Sequence, residues 1–183
     1  MDTTTTTAKE WFINKMDMNY FLKVFAIQTV LGNSDDYWRR GNNYYLYFDS
    51  NKLWYIPYDM DNTMTVNWTA TVDPYSRPKA VPYLSDERPL IEKALEVPEF
   101  RKKYTKYLKE LIEDPYFSPK ESRKRILKWQ NMIKDYIYSS QLEYIDTTPS
   151  FSDNPYGYHL LTEDMTNNYF AVKINTIRQY LDD

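Results

Sequence analysis

Apolar side chains recur at spacings of one, three and four residues between Asp17 and Leu31, which predicts one stripe of a helix. The stripe consists of Phe21, Leu22, Phe25, Ala26, Thr29 and Val30. Asp17 is a residue type that often caps the first turn of a helix, and Gly32 is a type that often ends one. We therefore expect a helix from about Asp17 to Leu31.

Two runs rich in aromatic and β-branched residues follow this helix, NYYLYFD at residues 43–49 and KLWYIPYD at residues 52–59. They are separated by turn-forming residues, so the pair predicts an antiparallel β-hairpin over residues 43–58. One face of a two-stranded hairpin needs a cover, and we expect the preceding helix to provide it. Residues 62–84 carry three prolines and no clear period, which predicts an irregular loop.

The remaining sequence is mostly helical in pattern. Its last helix is expected to place Phe170, Ile174, Ile177 and Leu181 on one face. The SPKE stretch at residues 118–121 has the form of a capping box with proline at the first helical position. A loop rich in Pro, Ser, Asp and Asn is expected at residues 146–160. The predicted helices are 86–95, 98–113, 118–140 and 162–181. The fold class is therefore α+β, mostly α, with one prominent hairpin and several C-terminal helices.

Length and charge limit the function classes. The chain has 183 residues, enough for one domain with its own core, and we assign residues 11–183 to it. The Thr-rich residues 1–10 are expected to be a linker or tail. A net charge of -3 argues against a nucleic-acid partner. The absence of cysteine excludes disulfides and thiol catalysis. No apolar run approaches the ~18 residues of a membrane-spanning helix, so no membrane span is expected.

Asp59 and Asp61 directly follow the second predicted strand. Two carboxylates one residue apart repel each other when partly buried, and a divalent cation relieves that repulsion. Oxygen ligands of this kind suit Mg²⁺ or Mn²⁺. The pair also fits a solvated loop in which both residues cap backbone N–H groups, a metal-binding D-x-D of glycosyltransferase type, or a paired-carboxylate glycosidase. An EF-hand is excluded, since Thr63 and Met64 stand where an acidic residue or Asn and then Gly are required.

A second polar cluster lies between the predicted helix and the hairpin. Asp35 and Asp36 follow the helix, and Asn43 opens the first strand. Phosphoryl transfer by a kinase needs an Asp that accepts the proton of the substrate hydroxyl, and an Asn and a second Asp that hold metal ions on the phosphates. The order of Asp35, Asn43 and Asp59 along the chain agrees with that requirement.

The stretches GNSDDYWRRGNNYYLYFD and KLWYIPYDMDNTM closely resemble the signature of the CotH kinase family, which is distantly related to protein kinases. The resemblance covers about residues 11–183. It implies a fold like the C-terminal lobe of a protein kinase. It also implies ATP as cofactor with Mg²⁺ or Mn²⁺, and a protein substrate with a Ser or Thr acceptor.

Carried over residue by residue, the resemblance implies that Asp35 is the catalytic base. Asn43 and Asp59 would bind the nucleotide through its metal, and Asp61 would support the metal. Family relatives on surface and secreted proteins imply an extracellular or cell-surface partner and location.

Other polar residues of this region have more ordinary interpretations. Asp36 is expected to be a solvated or capping residue. Arg39 and Arg40 are expected to be solvated loop arginines, with phosphate contact as the alternative. We see no glycine-rich phosphate loop, and only about thirty residues precede Asn33. The chain is thus expected to be the catalytic lobe without the lobe that covers the nucleotide, and to need that lobe for activity.

A second class of function stands beside the enzyme. Aromatic residues make up 17% of the chain, and exposed aromatic rings bind sugars or proteins by stacking and apolar contact. A cell-surface or secreted binding module with a kinase-like fold is therefore the alternative function.

Overall fold

The structure is a computed structural model that describes residues 3–60, 63–64, 72–77, 87–137 and 163–182. Its regular elements, in chain order, are α1 (Thr3–Lys15), α2 (Met18–Leu31), β1 (Tyr44–Asp49), β2 (Lys52–Pro57), α3 (Pro89–Glu96), α4 (Pro98–Glu113), a short 3-10 helix (Pro115–Phe117), α5 (Pro119–Ile137) and α6 (Glu163–Asp182). The described part is mostly helical with one antiparallel hairpin, which confirms the predicted fold class. The likeness to the C-terminal lobe of a protein kinase stays a prediction.

Helix α2 begins and ends where its sequence predicts. The side chain of Asp17 accepts hydrogen bonds from the backbone N–H groups of Asn19 at 2.9 Å and Tyr20 at 3.1 Å. These bonds satisfy two donors that the first helical turn leaves unpaired. Gly32 ends the helix with a left-handed φ of 63°, and its amide donates back to the carbonyls of the last turn.

Helix α2 packs against α4 at the centre of the core. Phe100, Tyr104 and Leu108 of α4 recur every four residues and are buried. Burial of one such side chain contributes about 1.5–3 kcal/mol to the free energy of unfolding. The buried Tyr104 hydroxyl lies 2.8 Å from Thr29 Oγ1 and donates to the carbonyl of Pro74 at 2.9 Å. The pairing keeps this polar atom satisfied inside the core.

The hairpin packs on α2, as predicted. Its register pairs Tyr44 with Pro57 at the open end and Asp49 with Lys52 at the turn. Tyr55 is fully buried, and its ring lies 5.7 Å from that of Phe21 and 5.0 Å from that of Phe25. Because strand side chains alternate between faces, the outer face of β2 remains exposed. The core therefore holds the hairpin through one side of β2.

Helix α1 differs from the sequence prediction. The Thr-rich start was expected to be a linker, but the chain is helical from Thr3 onward. Thr is a weak helix former, so tertiary packing must stabilise the helix. Phe12 and Met16 supply it, since both are buried and the ring of Phe12 lies 6.0 Å from that of Phe100. The domain boundary at residue 10 stays a prediction.

The C-terminal helices agree with the sequence within a few residues. The bounds of α4 are confirmed, and α3 begins at Pro89, three residues later than expected. Ser118 accepts a hydrogen bond from the amide of Glu121 at 3.3 Å, which is one half of the predicted capping box. Three of the four residues expected on one face of α6 are buried: Phe170, Ile174 and Ile177.

Two predicted loops lie largely or wholly outside the described residues: most of 62–84 and all of 146–160. Within the part of the chain that the structure describes, no helix combines the length and apolarity needed to cross a bilayer.

Candidate functional site

The candidate site is built on residues 33–43, here named the site loop, which joins α2 to β1. Its first residue, Asn33, is fully buried. The Asn33 amide donates to the carbonyl of Gln28 at 3.0 Å, and its side-chain Oδ1 accepts from the amide of Asp35 at 3.0 Å. The side-chain Nδ2 donates to Met60 Sδ at 3.2 Å. Asn33 thereby ties the start of the site loop to the chain leaving β2.

Asp35 and Asn43 lie side by side, although eight positions separate them. Asn43 Nδ2 donates to Asp35 Oδ2 at 3.1 Å, and Asn42 Nδ2 donates to Asp35 Oδ1 at 2.9 Å. The Asp35 side chain is 23% exposed, and Arg40 Nε lies 3.9 Å from its Oδ1. Because Asn43 uses its amide N–H on Asp35, its Oδ1 remains the acceptor for a ligand. Asp35 is thus half-buried, oriented, and open to solvent on one side.

Asn43 and Asp59 flank the open end of the hairpin with the same unusual backbone conformation. Their φ values are 57° and 56°, in the left-handed region that Asn and Asp tolerate better than most residues. The amide of Tyr58 donates to the carbonyl of Asn43 at 3.1 Å, so Asp59 follows a residue bonded to Asn43. The Asp59 side chain is exposed. Asp61 lies outside the described residues.

Asp36, next to Asp35, faces the opposite way and is 1% exposed. It accepts from the amide of Arg39 at 2.8 Å and from Arg39 Nη1 at 3.1 Å. Burial raises the pKa of Asp36, and the neighbouring Arg39 opposes that shift. The capping role expected of Asp36 is confirmed, but the expected solvation of Arg39 is wrong, since Arg39 is 4% exposed. The pair folds the middle of the site loop into a buried turn.

Helix α6 supplies a residue that sequence reasoning missed. Lys173 is fully buried. Burial lowers its pKa to about 7, and the positive charge of Arg39 acts in the same direction. On the same helix, the Tyr169 hydroxyl donates to the carbonyl of Val30 at 2.8 Å. The signal was present in the sequence, since Lys173 lies within the apolar stripe between Phe170 and Ile174.

Helix α3 holds the far side of the site loop. The backbone amide of Leu90 donates to the hydroxyl of Tyr37 at 3.3 Å. The guanidinium of Arg88 packs so closely on Gly41 that a Cβ there would meet its Nη2 at 2.7 Å. Gly41 also has a left-handed φ of 76°. Both observations explain why glycine stands immediately before the two Asn residues.

The side-chain oxygens at this end of the hairpin are of the type that a hard divalent cation prefers. Asn43 Oδ1 and the Asp59 carboxylate are oxygen ligands, and Mg²⁺ is typically held by one or two carboxylates together with substrate phosphates. Among the described residues, no group of three or more His, Cys, Asp or Glu side chains is placed to hold a metal ion. A metal at this site would therefore take its remaining ligands from water, from phosphate, or from Asp61.

Aromatic side chains cover the outer face of the hairpin beside Asp59. The rings of Tyr45 and Tyr58 are stacked with centroids 4.8 Å apart, and they are 61% and 42% exposed. Tyr47, two residues after Tyr45 and therefore on the same face of β1, extends this surface and is 55% exposed. We name Tyr45, Tyr47 and Tyr58 the aromatic face. It adjoins the acidic end of the hairpin.

Comparison with known proteins places the chain in a family. No curated protein and no solved structure gives a significant match to it. A family profile described as CotH kinase protein matches residues 1–183, the whole length. On that match, the chain belongs to the CotH kinase family.

Proposed function

We propose that this kinase-like chain is the catalytic lobe of an enzyme that transfers phosphate from ATP to Ser or Thr of a protein, with Mg²⁺ or Mn²⁺. The observation that supports it best is the contact between Asp35 and Asn43 at the open end of the hairpin. Phosphoryl transfer needs a proton acceptor and a metal ligand in the same site, because the attacking hydroxyl must be held beside the metal-bound phosphate.

Asp35 is proposed as the base. Its partly exposed carboxylate accepts the proton of the acceptor hydroxyl while that oxygen forms a bond to the γ-phosphorus of ATP. The bond between the γ-phosphorus and the β–γ bridging oxygen breaks, and ADP leaves. Asp36 is unsuited to this role, because its carboxylate is buried against Arg39. The contrast in exposure supports Asp35 over its neighbour.

Asn43, Asp59 and Asp61 are proposed to hold the metal and, through it, the nucleotide. A bound Mg²⁺ or Mn²⁺ neutralises charge that develops on the phosphate oxygens. The chain's own contribution is to fix the ligands before the nucleotide arrives. The side chain of Asn43 is held by its hydrogen bond to Asp35. The backbone of Asp59 is held in place because the preceding residue, Tyr58, is hydrogen-bonded to the carbonyl of Asn43.

Metal binding is tested by calorimetric titration of Mg²⁺ and Mn²⁺, with and without ATP. Asp59→Ala should abolish or strongly weaken binding. Asp49→Ala is the matched control, since Asp49 is an exposed Asp at the other end of the same hairpin. Equal binding by wild type and Asp59→Ala would remove the metal assignment.

Phosphate transfer is tested with radiolabelled ATP and acceptor proteins, using the natural full-length protein. Transfer by wild type that is lost in Asp35→Asn and Asp59→Ala supports the proposal, provided that circular dichroism shows both variants folded. Absence of transfer by the wild type with either metal would argue for a different function.

The exposed aromatic face supports a second candidate, a binding module for carbohydrate or protein at a cell surface. Tyr45 and Tyr47 are 61% and 55% exposed on the same face of β1, and they form one exposed aromatic surface with Tyr58. Glycan-array and pull-down binding that Tyr45→Ala and Tyr47→Ala abolish would favour this function. Tyr116→Ala is the control, because Tyr116 is 66% exposed on the distant 3-10 helix.

A further inference from the structure

Two consecutive amide side chains hold the same carboxylate in the site loop. Asn42 Nδ2 donates to Asp35 Oδ1 at 2.9 Å, while Asn43 Nδ2 donates to Asp35 Oδ2 at 3.1 Å. Each carboxylate oxygen therefore has its own amide donor. The proposed function uses Asn43 as a metal ligand and gives Asn42 no role.

The backbone explains how neighbouring side chains reach one group. In an extended strand, successive side chains point to opposite faces. The left-handed φ of 57° at Asn43 breaks that alternation immediately before β1. Gly41, with φ of 76°, precedes Asn42. The turn between these two positions brings both amides to Asp35.

A carboxylate held at both oxygens cannot rotate freely about its last bond. The Asn42 amide is neutral, so it orients Asp35 without the strong attraction that a guanidinium exerts on a carboxylate. Arg40 Nε is farther from the same oxygen, at 3.9 Å, and the Arg40 side chain is 50% exposed. Asn42 is thus the closer partner of Oδ1.

We propose that Asn42 is a positioning residue that fixes the carboxylate plane of Asp35 for proton acceptance. The proposal rests on the phosphoryl-transfer function proposed above. It assigns Asn42 to the step that moves the proton, whereas Asn43 serves both Asp35 and the metal. Loss of Asn42 should therefore affect turnover and leave nucleotide affinity unchanged.

The kinetic test compares kcat and KM for ATP in the natural full-length protein. Asn42→Ala should lower kcat about 10- to 100-fold with unchanged KM, in line with the loss of one hydrogen bond to a charged group. Asn42→Gln retains the amide donor on an exposed side chain and should recover most of kcat. Asn175→Ala, at an exposed Asn of α6, is the control and should match the wild type. Wild-type kcat in Asn42→Ala, or a change confined to KM, would overturn the positioning role.

A second measurement does not depend on activity. Asn42→Asp would place a second carboxylate against Asp35, and like charges at this distance repel. Its urea midpoint at pH 7 should lie below that of Asn42→Ala. Equal midpoints at pH 7 would show that Asn42 does not hold Asp35. If the wild type transfers no phosphate, both the proposed function and the positioning role of Asn42 are wrong. The urea midpoints would still show whether Asn42 contacts Asp35.

Discussion

The two sides of the site loop differ sharply although Asp35 and Asp36 are adjacent in sequence. The inner side carries Asp36 and Arg39, which are 1% and 4% exposed and paired with each other. The outer side carries Asp35, Asn42 and Asn43, which are hydrogen-bonded together but reach solvent. Adjacent aspartates therefore have unrelated environments.

This difference separates groups that hold the loop from groups that can do chemistry. A buried ion pair is hard to disturb, since removing one partner leaves an uncompensated charge in the core. A half-exposed carboxylate can meet a substrate and exchange a proton with it. The buried residues of the inner side hold the loop in one conformation. In that conformation the residues of the outer side reach solvent.

The largest effect is expected from breaking the inner side. Asp36→Ala leaves the Arg39 guanidinium buried without its carboxylate and should lower the free energy of unfolding by about 3–5 kcal/mol. Urea denaturation at pH 7 measures this. The exposed Asp49→Ala should change stability by less than about 0.5 kcal/mol. Equal stability of the two variants would contradict the structural role of the inner side.

The outer side should show the reverse pattern. Asp35→Asn should reduce phosphate transfer by about 10²–10⁴-fold, the usual contribution of a general base, while the protein stays folded. Transfer assays and thermal unfolding of the same preparation separate the two effects. A large drop in melting temperature with retained transfer would show that Asp35 belongs to the inner side instead.

The third prediction concerns Lys173, which lies buried near the inner side. Its pKa is lowered from 10.5 to about 7, so between those values the unfolded chain binds a proton that the folded chain does not. Its contribution to the free energy of unfolding therefore rises with pH across that window, and the cost of burying the charge is complete below pH 7.

Lys173→Met removes this cost. The gain in melting temperature should be on the order of 10 °C at pH 6 and should shrink toward pH 10. Differential scanning calorimetry of both proteins across this range measures it. A gain that does not vary with pH would mean that burial does not lower the pKa of Lys173.

The smallest expected effect comes from Gly41, where the loop passes α3. Gly41→Ala adds a Cβ at 2.7 Å from Arg88 Nη2 and a side chain at a left-handed φ of 76°. A loss of about 1–3 kcal/mol is expected in urea denaturation. A double variant that also replaces Arg88 by a shorter residue separates the close contact from the backbone strain. It relieves the contact with Arg88 and leaves the left-handed φ of residue 41 unchanged. A neutral Gly41→Ala would mean that the loop adjusts freely.

Local signals in the sequence determined the elements that frame the site. Asp17 and Gly32 bound α2 because a capping carboxylate and a left-handed glycine act within a few residues of themselves. The hairpin and Pro98–Glu113 were predictable for the same reason, from alternation and from helical periodicity. The roles of Asp35, Asn43, Asp59 and Asp61 stay predictions, carried by motif order and family membership.

Only the tertiary structure decided which polar groups are buried. Asp36 and Arg39 look like surface residues in sequence, and Lys173 lies more than a hundred positions from Arg39. The burial of Asp36 and Arg39 depends on elements distant in sequence, such as α6, which carries Lys173 close to Arg39, and no local pattern encodes it. Thr3–Lys15 makes the same point, since its helix depends on the contact of Phe12 with Phe100. The local sequence determines features such as helix caps and turns, which depend on residues a few positions apart. The burial of a side chain depends on neighbours that are distant in sequence, so it is determined only by the folded chain.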